Sequence, residues 1–375
     1  MHNCPKASPG NTDAAPNNSK PITGAKPDFS IAALLEVVLS VTRHHTEIRS
    51  LASSDADRGG ASTASILLSR PRHRDADQDF HVTASSSHIR MTLPPVLDRQ
   101  GSPFSASPQW VGDLFDSMLQ PVVSAEPPSR HSTAFELLSV LYRHGVLSQG
   151  LPSTELDAAL AGASKPSLPT LARDFARADT TGLLAAASKL LGVPVRLRGK
   201  HVRLRGENVF TRHFVPPAAK QVPECLNGLW RALRRAAHAS AGGAAFQHGL
   251  IAYAAFFAVL TIHPFADGNG RTARMFYASL LRLNASDCPI LALALPLSFA
   301  EGGRRFHQAA LLARSGHFGE LRANMVDSVR EAQTRFAPDV ERLIAALDAG
   351  ERAAATVVLQ RIHADLCWAT MSPGA

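Results

Sequence analysis

The sequence predicts a mainly α-helical chain with one small β-hairpin, preceded by a partly disordered N-terminal region. Three observations lead there. Apolar residues recur at helical spacing through most of the chain after Ser132. One stretch alone, "VPVRLRGKHVRLRGENVFTRHFVPP", alternates apolar and charged residues with period two. Residues 1–28 follow neither period and are rich in Ser, Pro and Asn, so they are expected to be a disordered polar leader.

Residues 29–51, within "DFSIAALLEVVLSVTRHHTEIRSLA", carry apolar side chains at helical spacing, with Asp28 or Ser30 as the cap. Residues 52–130 return to Ser, Asp, Arg and Pro with few apolar anchors and are expected to be a loosely ordered linker. An N-terminal helical region, 131–184, follows with "TAFELLSVLYRHGVL", "STELDAALAGA" and "LPTLARDFARADTTGLLAAASKLLG". In the period-two stretch Val195, Leu197, Val202 and Leu204 alternate with Arg196, Arg198, Arg203 and Arg205, as in half-exposed strands. Gly199 and Gly206 punctuate it and Pro216-Pro217 ends it. Helices resume with "VPECLNGLWRALRRAAHA" and "FQHGLIAYAAFFAVLTI", continue in "RTARMFYASLLRL" and "GRRFHQAALLARSG", and run through 326–375.

Composition narrows the function classes. Three Tyr and three Trp in 375 residues disfavour a stacking platform for single-stranded nucleic acid. The formal net charge of +8 suggests an acidic partner: nucleic acid, an anionic surface or a phosphorylated small molecule. Cys4, Cys225, Cys288 and Cys367 lie far apart and form no CxxC pair, which argues against a disulfide framework or zinc site and for a reducing compartment, the cytoplasm. The longest uninterrupted apolar run, "LIAYAAFFAVLTI", is shorter than the roughly 18–20 residues a membrane span needs, so no membrane partner is expected. The N-terminus lacks the apolar core of a signal peptide, and its polar leader resembles those of effectors delivered into host cells.

The chemistry concentrates in "HPFADGNGRTAR", residues 263–274, between two apolar helical runs. Gly268 and Gly270 around Asn269 allow successive N–H groups to face one concavity, an anion-binding nest. The next helix adds its positive N-terminal end. Arg271 and Arg274 share a face of that helix and can clamp further phosphates bidentately. Asp267 at the loop mouth is a hard carboxylate suited to Mg²⁺ beside phosphate oxygens. His263, with an ordinary pKa near ~6.5, can accept a proton at neutral pH. Phe265 is expected to anchor the loop in the core. Each piece alone is more often structural than functional; together they hold every element needed to bind a nucleotide phosphate and deprotonate a nucleophile.

That segment resembles the signature of Fic-domain proteins, HPFx[D/E]GNGRxxR, at every specified position. The likeness extends over residues 185–325: "VRLRGENVFTRHFVPP" resembles the family's flap hairpin, "VPECLNGLWRAL" the helix after it, and "RRFHQAALLARSGHFGELRANM" the segment following the motif. The resemblance implies a Fic-type helical bundle that transfers AMP from Mg-ATP to a hydroxyl side chain of a target protein. His263 would be the general base and Asp267 would hold Mg²⁺. Asn269 with the Gly268 and Gly270 amides would bind the α-phosphate, and Arg271 and Arg274 the β- and γ-phosphates. The flap, at Val209, Phe210 and Thr211, would dock the target by strand addition. Ala278 stands where many relatives carry Asn, which bears on the adenosine contacts, and relatives with altered motifs transfer phosphate, UMP or phosphocholine. "STAFEL" resembles the family's inhibitory helix, with Glu136 the candidate partner of Arg274; the same residues also suit an ordinary helix start.

A competing reading takes "STELDAALAGASKPSLPTLARDFARADTTGLL" and "VRLRGKHVRLRG" as a helix-turn-helix with a basic wing. Arg196, Arg198, Lys200, Arg203 and Arg205 would then meet nucleic-acid phosphates.

Overall fold

The computed structural model describes residues 106–120, 130–143, 153–161, 166–200, 202, 216–240, 244–300 and 303–371. Among them the regular elements are helical: α1 (Pro108–Met118), α2 (Ser132–Val140), α3 (Ser153–Leu160), α4 (Leu168–Phe175), α5 (Thr180–Leu191), α6 (Val222–Ala239) preceded by a 3₁₀ turn (Ala219–Gln221), α7 (Ala245–Ile262), α8 (Asn269–Leu283), α9 (Pro289–Leu297), α10 (Arg304–Arg314), α11 (Gly319–Asp348) and α12 (Arg352–Met371). The leader, the helix expected at 29–51 and the flap residues Val209, Phe210 and Thr211 lie outside the described residues.

α1 corrects one expectation, because residues 108–118 fall inside the stretch read as a loose linker. Ser107 caps it, its hydroxyl accepting from Trp110 N at 3.1 Å, and Pro108 starts the helix where a missing N–H costs nothing. Trp110, Val111, Leu114, Phe115 and Met118 are buried against α6 and α7. Gly228 of α6 permits that approach; a Cβ there would stand 2.8 Å from Pro108 Cα. The buried Trp110 ring donates through Nε1 to the Ala313 carbonyl at 3.0 Å.

α7 is the axis of the core. From Leu250 to Val259 every residue is buried, and the helix packs on α8 with α1 and α6 beside it. The helix is longer than its uninterrupted apolar run: at 18 residues it has the length and hydropathy to cross a membrane, but 83% of it is buried within this fold. A surface helix shows one apolar stripe; one that is apolar all round belongs to a core or a bilayer. Here it belongs to the core.

α8 is held from its other sides by α4 and α6, where Phe276 meets Phe175 (ring centroids 4.8 Å) and Trp230 (5.9 Å). α9 packs on α11, which runs unbroken from Gly319 to Asp348, so the expected boundary at 325/326 is no structural break. α12 returns along α11. The buried Asp339 carboxylate ties the two, receiving Arg342 at 3.0 Å and Arg361 at 3.5 Å.

The period-two expectation changes at its described end. Residues 193–200 carry no strand, and Arg198, expected to face solvent, is buried. α4 likewise turns its apolar residues to α8. Of the basic wing in the nucleic-acid-binding reading, Arg198 is buried, while Arg203 and Arg205 lie outside the described residues.

Candidate functional site

The motif is the turn from α7 to α8, and the sequence dictates its shape locally. α7 ends when His263 takes up a left-handed backbone (φ 52, ψ 59), its N–H still donating to the Val259 carbonyl at 2.9 Å. Such a conformation is uncommon for a residue with a side chain and costs about 1–3 kcal/mol. Phe265, 1% exposed, plugs the loop into the core. Asn269 braces it: its Oδ1 accepts from Phe265 N and its Nδ2 donates to Phe265 O, both at 2.9 Å. This revises the role the resemblance gave Asn269. Both ends of its carboxamide hold the loop, which leaves its backbone N–H for an anion.

Gly268 caps α8 with φ 81, and its N–H donates to Asp267 Oδ1 at 2.6 Å. The N–H groups of Asn269, Gly270 and Arg271 sit in the first turn of α8, where no intrahelical acceptor exists. They face the mouth of the loop with the positive end of the helix behind them. Gly270 also clears room for Arg274, whose Nη1 would stand 3.3 Å from a Cβ at that position.

The charged groups differ sharply in setting. Asp267 has a side chain 93% exposed and meets Arg271 Nη2 loosely at 3.4 Å. Arg274 is half-buried, and its buried Nε has no hydrogen-bond partner. Burial, then the neighbouring Arg271, pushes its pKa down to about 10, against a smaller upward pull from Tyr142; it remains a cation at neutral pH. A buried guanidinium N–H left open beside a helix N-terminus is the donor an anion would complete.

His263 is held neutral. Burial is the largest cause and pushes its pKa down to about 4; the nearby Leu260 carbonyl raises it, Arg198 and Arg314 lower it further, and Asp267 raises it slightly. Nδ1 is buried without a partner of hydrogen-bonding geometry. At neutral pH this imidazole is an unprotonated base.

Four residues of the surroundings were not legible in the motif. Arg198 reaches the His263 carbonyl through Nε at 2.7 Å. Arg314, fully buried at the end of α10, lies over the Phe257 ring at 5.6 Å. Leu191 closes on Gly268, and the buried Tyr142 stands in the field of Arg274. They come from separate segments, and no spacing rule connects them to residue 263. Glu136 sits elsewhere than expected. Its Oε1 accepts from Leu168 N at 3.2 Å, satisfying a first-turn donor of α4, and no ion pair joins it to Arg274 among the described residues.

The sequence model of the Fic/DOC family matches residues 182–281, which span α5 from its third residue to near the end of α8. Residues 182–281, which include the α7–α8 turn, are thus the part of the chain that matches a Fic/DOC domain. A solved structure of a Fic family protein from Desulfovibrio desulfuricans G20 is similar at 19% identity, covering 66% of this chain and 82% of that one with a TM-score of 0.38. No curated protein matches the chain. The Fic family generally transfers nucleotide or phosphate groups, and the matched domain points to a transferase of that family.

Proposed function

We propose that the protein is an adenylyltransferase that moves AMP from Mg-ATP to a Ser, Thr or Tyr hydroxyl of a target protein. The observation that supports this reading is the α7–α8 turn, where a neutral, half-buried imidazole and a set of open N–H donors belong to one short segment. That set, the phosphate cradle of this reading, comprises the open N–H groups of Asn269, Gly270 and Arg271 and the unpartnered Nε of Arg274.

In this reading the first turn of α8 receives the α-phosphate, and Arg271 and Arg274 take the β- and γ-phosphates. Preorganised donors of this kind stabilise charge that develops on the phosphoryl oxygens without reorganising during the reaction. Asp267 fits Mg²⁺ as an exposed hard carboxylate at the cradle's mouth, since Mg²⁺ commonly takes one or two protein carboxylates with phosphate and water. When bound, the ion would neutralise phosphate charge and orient the triphosphate.

His263 accepts the proton of the target hydroxyl as its oxygen attacks the α-phosphorus. The P–O bond to the β-phosphate breaks, and pyrophosphate leaves with the bonding pair. Arg271 and Arg274 hold the leaving group through their guanidinium forks. The partners are then ATP and a hydroxyl-bearing protein in a reducing compartment.

The test is incubation of the purified protein with α-³²P-ATP or γ-³²P-ATP, Mg²⁺ and a lysate. Label retained from the α position alone is the expected result. Label from the γ position would mean phosphate transfer, and none from either would sink the ATP reading.

A further inference from the structure

Arg198 lies outside the motif, in a stretch whose period would turn it to solvent, yet it is 6% exposed. Its guanidinium is a rigid fork of five N–H donors, and four carbonyl oxygens face it. Nε donates to His263 O at 2.7 Å. Nη2 donates to Pro217 O and reaches Ile262 O at 3.4 Å, and Nη1 donates to Lys200 O at 3.3 Å. The backbone N–H of Arg198 donates to Pro264 O at 2.9 Å.

These contacts fall on two places. One is the run of carbonyls at Ile262, His263 and Pro264, where α7 ends. Terminal carbonyls of a helix lack internal donors and carry the negative end of its dipole, so a cation is favoured there. The other is the pair Lys200 and Pro217, which bracket the stretch expected to form the flap. A buried arginine that meets carbonyls rather than a carboxylate keeps its full charge near the imidazole. The remaining charged groups bearing on His263 are Arg314 from α10 and Asp267 from the loop.

We propose that Arg198 is a positioning residue for His263. It fixes the carbonyl of the left-handed residue that carries the imidazole and ties that turn to both ends of the 200–217 stretch. The inference rests on His263 being the base of the proposed transfer. Lysine cannot replace the fork, because one ammonium cannot reach carbonyls that lie on separate sides of a planar group.

The test uses the full chain with Arg198→Lys and Arg198→Ala. Four quantities are read: thermal unfolding, ATP affinity, steady-state transfer and amide exchange at His263 and Phe265. Arg198→Lys is expected to fold and to bind ATP within about twofold of wild type, while kcat falls by roughly 10²-fold, as expected for a misplaced reacting group. Exchange at His263 and Phe265 should rise in both variants, and Arg198→Ala should be the slower enzyme. A folded Arg198→Lys with unchanged kcat and unchanged exchange overturns the proposal. So does parallel loss of stability, ATP affinity and transfer, which would make Arg198 a general fold residue. If wild type transfers no group from any nucleotide, the adenylyltransferase reading fails by itself. The exchange measurement then still decides whether Arg198 holds the turn.

Discussion

Leu191, the last residue of α5, closes on the backbone of Gly268, and a Cβ there would stand 2.4 Å from its Cδ1. The same glycine has φ 81. Two separate constraints therefore exclude a side chain at this position.

Gly268→Ala should accordingly cost about 1–3 kcal/mol from the backbone alone, and more from the clash. ATP affinity should fall with it, since the first turn of α8 starts from this residue. Adding Leu191→Ala should relieve the clash and leave the backbone term. Full recovery of stability in the double variant, measured by denaturant unfolding, would show that the left-handed conformation is no constraint.

Asn269 and Asp267 are neighbours in the motif with opposite expected phenotypes. Asn269→Ala leaves the buried N–H and C=O of Phe265 without partners, a loss of about 2 kcal/mol. Asp267→Ala removes an exposed carboxylate, so stability should stay within about 0.5 kcal/mol of wild type. Under the proposed function transfer should nonetheless collapse, because the triphosphate would lose its Mg²⁺ ligand. An Asp267→Ala protein that labels targets as fast as wild type at equal Mg²⁺ would remove the metal role.

Glu136 makes a prediction that the inhibitory-helix resemblance would reverse. Because its carboxylate serves Leu168 N, Glu136→Ala should loosen the start of α4 by about 1 kcal/mol. It should leave labelling unchanged. A clear rise in labelling, including of the protein itself, would restore Glu136 as an inhibitor of the Arg274 site.

The helical class, the core helix and the α7–α8 turn were legible because each has a local signature. Gly268 and Asn269 announce a turn, and the apolar surround of α7 announces burial. α1 was hidden because its eleven residues include Gly112, Asp113 and Asp116, and its capping Ser107 sits in a polar run. Arg198 was misread for a different reason. Period two sorts side chains by polarity, and a guanidinium that buries itself on carbonyls breaks that rule at residue 198. Asn269 was assigned to the ligand by resemblance, while the hydrogen bonds of the loop show what holds it.

Acid stability follows from His263. Its pKa is 6.5 in the ordinary state and about 4 in the fold, so the unfolded chain binds more protons between those values. The stability it contributes is fully present above pH 6.5 and is lost as pH falls toward 4, up to about 3 kcal/mol. His248 and His307 are also pushed down by burial and add to the same slope. Unfolding midpoints at pH 7 and pH 5 should differ less for His263→Ala than for wild type. Equal differences would mean the imidazole is not held neutral.

His263 also carries the last and central prediction. A Ser, Thr or Tyr hydroxyl is a poor nucleophile until its proton is accepted during attack. Within the turn the arginines are assigned to the phosphates and Asp267 to the metal, which leaves the imidazole. His263→Ala should therefore bind Mg-ATP with wild-type affinity, because the first turn of α8 and Arg274 are untouched. Transfer should drop by roughly 10²–10⁴-fold, the usual contribution of a positioned base. The pH profile discriminates further. A base at its ordinary value would give an ascending limb near neutrality, but burial and the two arginines move the free-enzyme limb of kcat/KM down toward pH 4. Calorimetric ATP binding and α-labelled transfer kinetics on the same variant separate the cases. Transfer at the wild-type rate would remove His263 from the chemistry, and weakened ATP binding would make it part of the cradle instead.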